Sequence, residues 1–110
     1  MSHNPHDLEY RLEHDALVMS MYEYLKRSGV YEDIWLNVEY DTGEKRGEID
    51  ILAIRRHTLD YFEIKAHYNL HSFKRATNQC RRFQSTNPVF KTNYYYMTPN
   101  HIEEIKLAVS

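Results

Sequence analysis

One cysteine, three glycines and three prolines are all that 110 residues contain of the types that most restrict fold class. The lone Cys80 excludes an intramolecular disulfide framework and any cysteine-rich zinc module, and it fits a reducing, cytoplasmic compartment. Glycine stands only at positions 29, 43 and 47, so there is no glycine-rich phosphate loop and no nucleotide cofactor is expected. No apolar run approaches the roughly 20 residues of a membrane-spanning helix. The polar start, Met1 to Tyr10, is no signal peptide, so no membrane partner is expected.

The remaining composition is ordinary, with 42% hydrophobic and 27% charged residues. It predicts one globular domain over residues 1–110, long enough to bury a core without staples. The net charge of -2 argues at first against a polyanion partner. Its distribution argues the other way. Residues 1–63 hold seven Lys/Arg against fourteen Asp/Glu, whereas residues 64–102 hold Lys65, Lys74, Arg75, Arg81, Arg82 and Lys91 and no acid. Such asymmetry suggests a polyanion partner, with a solvated basic helix as the alternative.

Leu17, Met21, Tyr24, Leu25 and Ser28 recur at helical spacing, predicting a helix from His6 to Ser28 that Gly29 stops. Strands follow at Ile34–Tyr40, Glu48–Ile54 and Leu59–Ala66, separated by the turns 41–47 and 55–58. Phe73, Ala76, Cys80 and Phe83 form the apolar stripe of a helix over Ser72–Ser85, which Asn87-Pro88 ends. Tyr94–Met97 reads as a fourth strand. Thr98-Pro99 has the form of an N-cap with proline at the first helical position, opening a helix to Val109. The expected order is α-β-β-β-α-β-α, an α/β sandwich of one sheet and flanking helices.

Strands two and three are mostly apolar on both faces, as buried central strands are, yet they contain Asp50, Glu63 and Lys65. By strict alternation Glu48, Asp50, Leu52 and Ile54 share one face, and Ile49, Ile51 and Ala53 the other. A buried carboxylate is costly unless paired or bound to a metal. If the two strands form a hairpin, Asp50 and Glu63 converge. With the Ile64 carbonyl they supply the hard oxygens that Mg²⁺ prefers. Lys65 is then placed to offset charge on a phosphorane-like transition state during phosphodiester hydrolysis. A buried carboxylate–lysine salt bridge is the alternative.

Gly47-Glu48-Ile49-Asp50 followed by Phe62-Glu63-Ile64-Lys65 resembles the core of the PD-(D/E)XK, or restriction-endonuclease-like, nuclease superfamily. Within it the chain is most similar to archaeal and viral Holliday-junction resolvases and their small bacterial relatives. These share a leading helix ending in a Tyr-Leu-x-x-x-Gly pattern, here Tyr24-Leu25-Lys26-Arg27-Ser28-Gly29. The resemblance covers residues 8–85. It implies metal ligation by Asp50, Glu63 and the Ile64 carbonyl, a catalytic Lys65, and Mg²⁺ replaceable by Mn²⁺. It also implies a homodimer that cuts branched or double-stranded DNA, since symmetric cleavage is most simply done by two sites on a twofold axis.

Two positions depart from the pattern. Ile49 stands where the superfamily's name has proline, and the usual place of a first-helix glutamate falls on Val18. Glu13, one turn before Leu17, is the expected substitute, with Glu9 in reserve. Gln79, one turn before Phe83, resembles the Gln-x-x-x-aromatic signature of some branches, where the amide positions metal water or the DNA strand. Lys74, Arg75, Arg81, Arg82 and Lys91 are the expected phosphate contacts. A nicking or trimming nuclease of the same fold, and a DNA-binding module without chemistry, are the competing expectations. His67 and His71 read as a surface pair, Cys80 as a core thiol, and Tyr94–Tyr96 as divided between core and interface.

Overall fold

The computed structural model describes residues 5–86 and 90–107, with side chains from Leu8 onward. The elements are α1 (Pro5–Ser28), β1 (Asp33–Asp41), β2 (Arg46–Arg55), β3 (Thr58–Ile64), α2 (Leu70–Thr86), β4 (Lys91–Thr98) and β5 (His101–Ile105). Helix α1 ends as expected, with Gly29 in the left-handed region at φ +69° and its N–H donating to the Lys26 carbonyl. Helix α2 begins two residues earlier than its apolar stripe suggests. Asn69 Oδ1 accepts from the Ser72 N–H at 3.1 Å, a side-chain cap on the first turn. The expected stop at Asn87-Pro88 lies outside the described residues.

The strands form one mixed sheet in the order β1-β2-β3-β4-β5, antiparallel except for the parallel pair β3–β4 that α2 bridges. Each face carries its own core. On one side Val18 and Leu25 of α1 pack on Ile51, Ala53, Phe62, Ile64 and Met97. On the other, Ala76, Cys80 and Phe83 of α2 pack on Ile49, Leu52, Leu59, Tyr61, Tyr94 and Tyr96. The architecture is α+β, and among the described residues no helix is long and apolar enough to cross a membrane.

The final segment corrects the sequence reading. The expected helix from Pro99 is instead a tight turn and strand β5, with Thr98 paired to His101 and Tyr94 to Ile105; residues 108–110, including Val109, lie outside the described chain. Proline's fixed φ near -65° suits both a helix start and the second position of a β-turn, so Pro99 does not discriminate. The open edge of β4 decides, because its backbone groups need partners.

A second correction concerns strict alternation. Ile34 and Leu36 pack on the α1 side, whereas Val38 and Tyr40, of the same parity, pack on the α2 side. Ile51 and Ile49 change sides in the same way. The crossover falls at Asn37, which has φ +51°, and at Asp50, which the β1–β2 register puts opposite it but which makes no ladder pair there. One left-handed residue re-aims the rest of the hairpin, and asparagine tolerates that conformation better than most.

The far end of the hairpin closes over Gly47, whose missing side chain leaves room for the Tyr40 ring. Tyr40 stacks edge-on against Phe83 at 5.6 Å and its hydroxyl donates to the Gln79 carbonyl at 3.0 Å, tying β1 to α2. Gly47→Ala puts a methyl group into that ring, and a loss of about 1–3 kcal/mol is expected in urea unfolding. Unchanged stability would mean that Tyr40 is free to leave.

Candidate active site

Asp50 and Glu63 meet where β2 and β3 run together, one step beyond the registered pair Ile51–Phe62. Asp50 is 6% exposed, and its Oδ2 accepts the Ile64 N–H at 2.9 Å. Ile64, expected here as a ligand through its carbonyl, touches the site through its N–H, which belongs to the preceding Glu63–Ile64 peptide. Glu63 is 7% exposed, with Lys65 Nζ 3.6 Å from Oε1 and, among the described residues, no partner for the buried Oε2. Burial first, and then the charge of Asp50, pushes the Glu63 carboxyl up to about 8, while Lys65 partly offsets both.

A second buried acid sets the contrast. Asp60, 2% exposed, was not singled out by the sequence. Its oxygens accept from the Tyr31 hydroxyl at 2.7 Å and from Asn93 Nδ2 at 3.0 Å, and Arg55 Nε stands 3.4 Å away. That carboxylate is fully provided for and holds β3 to β4 and to the α1–β1 connection. Glu63 is the acid whose surroundings leave it short of positive charge.

Helix α2 brings the other expected groups. Glu63, Lys65, Ser72, Arg75, Ala76 and Gln79 line a cavity of about 60 Å³. This is room for an ion and a few waters but not for a nucleotide, so a substrate would meet these groups at the mouth. Gln79 Nε2 donates to the Glu48 carbonyl at 2.6 Å, which docks its amide on β2 two residues before Asp50. Arg75 is exposed on the same flank of the helix, whereas Lys74 and Arg81 point outward.

Two of the expected phosphate contacts are placed differently. Arg82 is half-buried, with its Nε buried and without a partner among the described residues, and it packs close enough to Tyr40 to affect that hydroxyl. Lys91 is exposed at the start of β4, paired with Thr58. Five register positions separate that pair from Glu63–Tyr96, about 17 Å at a strand's rise. Lys91 thus lies toward the opposite end of the sheet from the acidic pair.

Glu13 is exposed, and the α1 side chain that reaches the acids is its neighbour His14, with Nε2 3.4 Å from Asp50 Oδ2. The signal was in the sequence. His14 stands four, seven and eleven residues before Val18, Met21 and Leu25, on the inward stripe, while Glu13 is turned about 100° away. Among the described residues no three His, Cys, Asp or Glu side chains form a ready metal cage. His67 and His71 are exposed, Cys80 is fully buried, and Tyr94 and Tyr96 face α2 while Tyr95 faces α1.

The chain matches no family model, and no curated protein is significantly similar to it.

Proposed function

We propose that this protein is a Mg²⁺-dependent DNA endonuclease with a restriction-endonuclease-like core, resembling Holliday-junction resolvases and acting as a homodimer on branched or duplex DNA. The observation that carries this reading is the buried Asp50–Glu63 pair, with one Glu63 oxygen unpartnered among the described residues and Lys65 3.6 Å from the other. The donor set fits a hard divalent cation, and Mn²⁺ can replace Mg²⁺ in it. Asp50, Glu63 and the Ile64 carbonyl would hold such an ion, which would supply Lewis-acid polarisation of the scissile phosphate and a more acidic water. Lys65 remains the group that offsets negative charge developing on the phosphoryl oxygens. Gln79, anchored on the Glu48 carbonyl, orients polar ligands at the cavity, and Arg75 at its rim receives a neighbouring phosphate.

The cations left outward by α2 packing form the DNA track. Lys74→Ala combined with Arg81→Ala is expected to lower the slope of log affinity against log salt by about 2, close to one unit per lost phosphate contact. An unchanged slope would place DNA elsewhere. Arg82→Ala, by contrast, should act mainly on stability through Tyr40.

The decisive assay incubates the protein with four-way junction, duplex and single-stranded DNA, with Mg²⁺ or EDTA. Symmetric nicks on the junction support resolution, and asymmetric or end-directed cuts point to a nicking or trimming enzyme of the same fold. Binding without any metal-dependent cleavage would refute the enzymatic reading.

A further inference from the structure

His14 lies outside the ligand set that the sequence pattern implies, yet among the described residues it is the α1 side chain in contact with the acids. Its Nε2 stands 3.4 Å from Asp50 Oδ2, and its imidazole is held between that contact and a parallel stack with Tyr10 at 6.3 Å. Tyr10 and His14 are one turn apart on α1, and the packing of Val18 and Leu25 fixes the helix rotation that aims both. Two donors sharing an octahedral ion at about 2.1 Å stand about 3.0 Å apart. The His14–Asp50 spacing is close to such an edge. Glu63 Oε2, buried and unpartnered, provides the independent sign that the cluster is built for a cation.

We infer that His14 is a direct metal ligand, so that the site offers two carboxylates and one imidazole and takes Mn²⁺ in preference to Mg²⁺. This rests on the metal-site reading above and changes its ligand set. Mg²⁺ seeks oxygen donors and keeps its waters, so an imidazole in the set penalises it. Mn²⁺ takes carboxylate, carbonyl and water as Mg²⁺ does, and as a first-row ion it also belongs to the affinity series for mixed nitrogen and oxygen sites. Because the three side chains form no closed cage as they stand, ion binding has to draw Glu63 and His14 toward Asp50.

The test uses the full chain and Mn²⁺ alone, without DNA. Pulsed electron paramagnetic resonance of the bound Mn²⁺ should show ¹⁴N modulation from a coordinated imidazole, lost in His14→Gln and in His14→Ala. Mn²⁺ affinity should fall roughly 10–100-fold in both variants, with circular dichroism verifying the fold. His14→Glu should restore binding and favour Mg²⁺. Mn²⁺ bound without ¹⁴N modulation, or with modulation that survives His14→Gln, would overturn the ligand role and leave the acidic site standing. Failure of both ions to bind the wild-type chain would sink the metal-site reading itself, and His14 with it.

Discussion

Lys65→Ala is expected to lower metal-dependent DNA cleavage by a factor on the order of 10²–10³ or more, with DNA binding and folding retained. Lys65 is the cation beside the buried pair, 3.6 Å from Glu63 Oε1, and its side chain is 30% exposed, so it can reach outward to a phosphate. Removing it leaves the developing phosphoryl charge without a preorganised partner. Asp50→Ala and Glu63→Ala should abolish cleavage as completely, because each deletes a donor of the proposed metal site. Fluorescence anisotropy on a labelled junction separates binding from cutting in all three. A Lys65→Ala protein that cuts at the wild-type rate would eliminate the mechanism, and loss of binding would mean that Lys65 belongs to the DNA track instead.

Glu63→Gln should stabilise the metal-free protein at about pH 8 by several kcal/mol and change little near pH 4.5. The folded carboxyl is pushed up to about 8 from the ordinary 4.5 by burial and by Asp50. Between those values the unfolded chain has released a proton that the folded chain retains, so rising pH favours unfolding. The stability associated with protonated Glu63 is therefore fully present below about 4.5 and lost as pH climbs through about 8. Glutamine fills the same space without a charge to desolvate. Urea unfolding in EDTA at three pH values measures the difference. Parallel pH profiles for the two proteins would show that the ionised Glu63 is already compensated. A divalent ion that binds only the folded chain should restore wild-type stability at the upper pH.

Much of the fold and of the acidic pair is legible in the amino-acid sequence. The apolar β-branched runs of β1 to β3 and the stripe Phe73–Ala76–Cys80–Phe83 identify their elements, because burial there follows simple periods. Asp50 and Glu63 stood out as charges inside such runs. Three features were hidden for physical reasons. Strand β5 depends on the open edge of β4, a tertiary demand that local sequence does not encode. The change of face at Asn37 is a single backbone dihedral, and period-2 reasoning assumes that no such change occurs. The family pattern calls for a carboxylate, which leads to Glu13 with Glu9 in reserve, although the helix stripe itself points one residue further, to His14.

The crossover at Asn37 and Asp50 has a mechanical consequence. Each helix layer packs on its own core, and the two cores meet the sheet on opposite sides. Asp50 sits where the hairpin passes from one to the other, in contact with α1 through His14 at 3.4 Å and hydrogen-bonded to β3 through the Ile64 N–H, with its charge felt by Glu63 on the α2 side. Displacing α1 from the sheet would therefore uncover one oxygen of Asp50 while leaving its bond to β3 in place. One carboxylate is the place where the α1 layer touches the strand pair that carries Glu63 into the α2 cavity.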